Sequence, residues 1–105
     1  MMMEFEWDES KRGINLRKHG VDFRDCPEVF AGRCRTVLDI RDYDETRYLT
    51  TGLLDDVVIV ICHMESDETI RIIPARKAER YEREDYFNPA YSPSVLLRRR
   101  QAPHL

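Results

Sequence analysis

The stretch VVIVICHMESDETIRIIPARKAERYER, Val57–Arg83, decides the fold. It opens on the most apolar run of the chain, Val57–Cys62, rich in β-branched residues and apolar on both faces. That pattern predicts a central, buried strand over Val57–Met64. The run is far short of the ~20 residues that a membrane-spanning helix needs. Glu65–Glu68 is polar and predicts a hairpin loop, and Thr69–Arg76 predicts the next strand. Pro74 has no N–H to give to a ladder, so that end of the strand is expected to be bulged or at an edge. From Lys77 to about Phe87 the spacing predicts a surface helix with a weak apolar stripe, stopped by Asn88-Pro89.

Upstream, the period is two. Cys34, Thr36, Leu38 and Ile40 alternate with Arg33, Arg35, Val37 and Asp39, a strand with one wet face. Asp42–Glu45 is a turn, Thr46–Leu54 a strand, and Asp55-Asp56 a second turn; Gly52 marks a bulge or a close backbone approach. The N-terminal EFEW, Glu4–Trp7, suits a short half-buried strand. Asp8 is a helix N-cap, the helix runs to about His19, and Gly20 fits the left-handed stop. Asp22 caps a second short helix with Val21 as its staple, Cys26, Val29 and Phe30 as its buried face, Pro27 in its first turn and Gly32 at its end. Strands joined by short turns predict an antiparallel β-sheet meander. Helices before it and one after it make the class α+β, with helices over one face of the sheet and the other face open to a ligand or partner. Residues 1–87 read as a single domain. Residues 88–105 carry three of the five prolines and read as a flexible tail, with a short helix at Ser94–Gln101 as the alternative.

The 105 residues fit one domain, and the formal net charge of −3 does not advertise a nucleic-acid binder. The distribution is uneven: basic residues cluster at 11–24, 71–83 and 98–100, acidic ones at 39–45 and Asp55–Asp56. Three cysteines, Cys26, Cys34 and Cys62, form an odd set without CxxC spacing, which argues against a disulfide framework or a zinc ribbon. Cys62 reads as a core residue, and the compartment as reducing. The acidic opening MMMEFEWDES lacks a signal-peptide layout, so a cytoplasmic protein is expected. No dinucleotide, P-loop, zincin, hydrolase-elbow or EF-hand motif is present, and the three histidines lack ligand spacing. No metal and no cofactor is expected.

What remains is a set of cations: Lys18, His19, Arg47, His63, Arg71, Arg76 and Lys77, with Arg80 next in the basic helix. Arginine forks match phosphate geometry, lysine adds a point charge, and a histidine among them can move protons near neutral pH. That inventory fits metal-independent cleavage of RNA, in which the 2′-hydroxyl attacks the adjacent phosphorus. Structural readings compete for each residue. Lys18 and His19 suit a helix C-terminus for dipole reasons alone. Arg47 and Arg71 also fit a solvated strand face, and His63, ending a buried strand, also fits a structural histidine.

The opening EFEWDESK, then NLRKHGVDF, ETRYLTTG and RIIPARKAERYERE, together resemble the BrnT toxins of bacterial toxin–antitoxin systems, over about Met3–Tyr86 in one continuous order. The resemblance implies a RelE-like fold and an endoribonuclease that inhibits translation. It also implies neutralisation by a BrnA-type antitoxin of the ribbon-helix-helix class in a hetero-oligomer, with DNA contacted only through that antitoxin. Lys18 and His19 match the family's KHG, Arg47 the arginine after the acidic turn, and His63 a histidine or tyrosine ahead of the hairpin. Arg71 and Arg76 match the arginines of the RI-I-x-AR run, followed by Lys77. On this basis Lys18, His19, Arg47, His63, Arg71 and Arg76 are the expected catalytic set, and Lys77 and Arg80 the RNA-binding flank. Pro74 stands where the family usually carries serine, next to the bulge that aims Arg76. The alternative is a non-catalytic corepressor that partners a ribbon-helix-helix protein.

Overall fold

The apolar run at Val57 becomes the middle strand of a five-stranded sheet. In the computed structural model, which describes residues 3–41 and 44–90, the chain order is β1 (Glu4–Glu6), α1 (Glu9–His19), a 3-10 turn (Phe23–Asp25), α2 (Pro27–Ala31), β2 (Cys34–Leu38), β3 (Tyr48–Leu54), β4 (Val57–Ser66), β5 (Thr69–Lys77) and α3 (Arg80–Tyr86). The strands lie in the order β1-β5-β4-β3-β2. From β2 to β5 every pairing is antiparallel, the expected meander. β1 adds a parallel edge to β5, with Phe5 opposite Ile70, so the sheet as a whole is mixed. α1 and α2 carry the chain to the far edge, and the meander returns to lie beside β1. The architecture is α+β and RelE-like in its arrangement. The Ser94–Gln101 helix expected in the tail, Arg98–Arg100, and Asp42 and Tyr43 in the first turn lie outside the described residues. Among the described residues no helix is long and apolar enough to cross a membrane.

Local chemistry explains the ends of the elements. Asp8 accepts from the backbone N–H groups of Ser10 and Lys11, and Gly20 closes α1 at φ 74°. The second helix divides in two because Pro27 has no N–H to extend the Asp22-capped turn, and instead occupies the first position of α2. The β3–β4 turn is two aspartates with φ 50° and 68°, the left-handed pair that matches strand twist. Gly52 lies under α2: a Cβ there would sit 2.7 Å from a Val29 methyl, so it marks a close approach, not a bulge.

Helices cover both faces, which corrects the expectation of one open face. On the first face Val21, Phe23, Cys26 and Val29 pack against Ile59, Ile61, Ile70, Ile72 and Ala75. On the second, α3 crosses one end of the sheet, and Ala78 and Tyr86 pack with Val58 and Val60. The Tyr86 hydroxyl donates to the Arg33 carbonyl at 2.7 Å, and the Arg33 guanidinium lies 4.6 Å from the Tyr86 ring centroid. α3 begins at Arg80 rather than Lys77 because β5 continues to Lys77, which pairs with Ile59. Beyond α3 the rest of the second face stays accessible.

Pro74 does mark a bulge. His63 pairs with Ile72 and Ile61 with Ala75, so β4 advances two residues while β5 advances three. The extra residue resets the alternation. Ile70 and Ile72 face the first core, and so does Ala75. Arg76, opposite Val60, is thereby turned to the second face, the side that Arg71 also occupies. In an unbroken strand Arg71 and Arg76, five positions apart, would face opposite sides.

Candidate active site

The open part of the second face holds a cleft of about 180 Å³ lined by His19, Arg41, Leu49, Val60, Cys62, Pro74 and Arg76. Its floor follows from strand alternation: Val60 and Cys62 of β4 face this side because Ile59 and Ile61 face the other core. Its walls come from three separate parts of the chain, the C-terminal end of α1, the segment after β2, and the bulged end of β5.

α1 is anchored at the bulge. Asn15 is 6% exposed, and its amide donates to the carbonyls of Val21 and Ala75, both at 2.9 Å, while accepting from the Ala75 N–H at 3.1 Å. One side chain thus satisfies both backbone groups of the residue before Arg76. His19 lies four positions after Asn15, on the same side of the helix one turn on. The bond set that holds Asn15 to β5 therefore sets His19 beside Arg76.

Each arginine here is aimed by a carboxylate. Arg76 donates to both oxygens of Glu82, at 2.8 and 3.1 Å, and Glu82 also accepts from the Glu79 N–H at the start of α3. Arg41 forks onto the buried Asp39 at 3.0 and 2.8 Å. Arg47 donates from Nε and Nη2 to one oxygen of Glu45 at 2.8 and 2.6 Å. These bonds hold Arg47 and Arg76 above the usual guanidinium range, and the bond from Arg76 keeps Glu82 below the usual carboxylate range. Burial, followed by Asp39, pushes the Cys62 thiol up, although Arg47 and Arg41 pull the other way. Cys62 thus serves as an uncharged part of the floor, with its Sγ 3.9 Å from Asp39 Oδ2.

The fold brings His19, Arg76 and the Arg47–Cys62 edge together, with Lys18 exposed at the same helix end. Arg71 shares the face but stands about 13 Å along the sheet, four β4 residues from Arg76, where it pairs with Glu6 at 3.1 Å. Arg80 is exposed on α3 and pairs with Glu84 at 3.0 Å. Lys77 has the parity of Ala75 and faces the α1 side. His63 does not join the cleft. It is 0% exposed on the first face, with Nε2 2.7 Å from the Thr50 hydroxyl, which lies 2.7 Å from that of Thr36. Phe30 meets the His63 ring edge-on at 5.1 Å, and Tyr48 stacks at 6.0 Å. The parity of β4 decides this: residues 59, 61 and 63 share a side.

Sequence reasoning missed Arg41, Asp39 and Asn15. Asp39 already stands in the alternation of Arg33, Arg35 and Val37, and Arg41 is the next step of it beyond β2. Nothing in the sequence singles out Asn15 except a polar residue inside a helix. Among the described residues no group of three His, Cys, Asp or Glu side chains is arranged to hold a metal ion.

Compared with known proteins, residues 7–82 match the model of one family, described as the ribonuclease toxin BrnT of type II toxin–antitoxin systems. No curated protein matches the chain. The matched span contains every residue lining the cleft. The chain belongs to the BrnT family of ribonuclease toxins, the toxin half of type II toxin–antitoxin systems.

Proposed function

We propose that the cleft cleaves RNA without a metal, by attack of a ribose 2′-hydroxyl on the neighbouring phosphorus. His19 takes the 2′-hydroxyl proton. The new bond closes a 2′,3′-cyclic phosphate as the bond to the 5′-oxygen breaks, and Lys18 returns a proton to that oxygen. Arg76, with Arg41 and Arg47 at the rim, holds the non-bridging oxygens. Arg76 spends three hydrogen bonds on Glu82 and the Lys77 carbonyl, and a guanidinium has five N–H donors. Its carboxylate therefore orients it and leaves capacity for phosphate. Arg71, further along the face, meets a flanking phosphate, and Arg80 a more distant one. His63 supports the sheet rather than the reaction.

The observation that carries this reading is that one histidine and two arginines, from three separate elements, line one cleft. In the cell a BrnA-type ribbon-helix-helix antitoxin covers this activity, and DNA is contacted through that partner alone.

The test is cleavage of RNA by the purified protein in EDTA, with product ends analysed. Cyclic phosphate ends are expected. Arg76→Ala should lower the rate ~10²–10³-fold, the cost of removing one preorganised charge donor, and His19→Gln ~10²–10⁴-fold, the worth of a placed proton carrier. Products ending in 5′-phosphate, or activity abolished by EDTA, would overturn the mechanism. A folded protein that binds the antitoxin and leaves RNA intact would be the non-catalytic corepressor.

A further inference from the structure

The second face holds another, larger hollow of about 340 Å³, lined by Arg35, Val37, Thr51, Tyr81, Glu82 and Asp85. It lies between α3 and the β2–β3 pair and adjoins the arginine cleft. Val37 in the hollow is paired across the ladder with Leu49 in the cleft, and Glu82 lines the hollow while gripping Arg76. At this volume it sits at the small end of ligand pockets, about 300–1,000 Å³. Val37 and Thr51 form its floor. Arg35 and Asp85, 3.3 Å apart, place a donor and an acceptor side by side at its edge.

Tyr81 is the telling residue. It is 68% exposed, whereas Tyr86 on the same short helix is 1% exposed and bonded to Arg33, the residue before β2. Docking of α3 uses Tyr86; it does not use Tyr81. A large aromatic is therefore held at the wall of a hollow by a helix that gains nothing from burying it. The hollow also carries two carboxylates, Glu82 and Asp85, which repel a phosphate. Its neighbour carries the arginines. The pair of hollows thus separates a site suited to a flat, uncharged group from a site suited to an anion.

We infer that this hollow is a nucleobase subsite, in which a base of the strand whose phosphate lies in the arginine cleft stacks on Tyr81, with Arg35 and Asp85 at its polar edge. The inference rests on the ribonuclease reading above. Single-stranded RNA offers unstacked bases to aromatic side chains, and every base has a π-face. Leu49 in the cleft and Thr51 in the hollow are two residues apart on one strand face, about 7 Å, a step that one nucleotide spans.

The test uses the full chain and a single-stranded 2′-O-methyl oligonucleotide, whose capped oxygen prevents cleavage, beside an abasic oligonucleotide of the same length. Tyr81→Ala should weaken binding to the base-containing strand by about 5–150-fold, the worth of one stacked base. It should leave the abasic strand unaffected, and Tyr81→Phe should restore wild-type affinity. Equal affinity of Tyr81→Ala and wild type overturns the subsite, as does equal loss on the abasic strand or a wild-type protein with no affinity for either. A Tyr81→Ala variant that loses only antitoxin binding overturns it too and assigns the hollow to a protein partner. If unmodified RNA is never cleaved but the Tyr81 pattern holds, the catalytic reading fails and the base subsite stands.

Discussion

Replacing Asn15 tests the joint that sets the cleft. In Asn15→Ala, three buried hydrogen bonds disappear: two to the Val21 and Ala75 carbonyls and one from the Ala75 N–H. At about 1–1.5 kcal/mol each they total about 3–4.5 kcal/mol, since the stranded backbone groups have no ready water. Alanine returns up to ~0.7 kcal/mol as the better helix former. The net loss should be about 3 kcal/mol, large but survivable for a domain of ordinary stability, ~5–15 kcal/mol. Urea unfolding followed by the fluorescence of Trp7, which lies edge-on to Phe23 in the core at 6.4 Å, gives the value. The midpoint should fall with the slope unchanged. Asn15→Asp gives a sharper signature. It keeps the acceptor for Ala75 N–H but sets a carboxylate against two carbonyl oxygens. At pH 7 it should be less stable than Asn15→Ala, and should recover as acid protonates it. A loss below about 1 kcal/mol for alanine, the worth of a single net hydrogen bond, or an aspartate variant equal to the alanine one, would refute the claim that these bonds fasten α1 to the bulge.

Three further outcomes follow from the same geometry. His63→Leu breaks the Thr50 contact and leaves that hydroxyl with a poorer partner set, so it should cost about 1–3 kcal/mol by urea unfolding, while cleavage per folded molecule stays at the wild-type rate; a selective loss of turnover would move His63 into the site. Glu82 is held below the usual glutamate value of 4.5, chiefly by Arg76, so its folded pKa is depressed. Its stabilisation is present above 4.5 and is lost as pH falls through the lower folded value; Glu82→Gln should flatten the acid limb of the stability profile in that window, and an unchanged limb would contradict the pairing. Burial raises the Cys26 thiol to about 12, so in the native protein at pH 8 a thiol reagent should label Cys26 only after unfolding, and rapid labelling would show that the site opens.

Legibility followed how local each signal was. The β4 run, the Asp55-Asp56 turn and both ends of α1 are decided within a few residues, and the structure has them where the sequence puts them. The two-sided cover of the sheet was not local: whether α3 returns to the first face or crosses the second depends on where β5 ends. A strand extended to Lys77 delays the helix and delivers Ala78 to the second face. His63 stands close to Arg71 and Arg76 along the chain, but parity sets it on the opposite face of the sheet. It shares the parity of Ile59 and Ile61, and so the side of the first core. Arg41 gives little local signal because its segment follows the strand rather than belonging to it. The distance from Asn15 to Ala75, sixty residues along the chain, defeats any local reading.

The bulge at Ile73–Pro74 has a genetic consequence. Downstream of it, a lost codon is less disruptive than a flattened strand. Loss of one codon at either position would remove the extra residue and bring β5 into step with β4, leaving Ala75 on the first face beside Asn15 and Arg76 on the cleft side. Gain of one would leave two surplus residues to be accommodated between Ile72 and Ala75. What would exchange the two sides of the sheet is a change that straightens the strand at its present length. Family members with one residue fewer between Arg71 and Arg76 should therefore still present both arginines on one face, on a plain strand without the bulge.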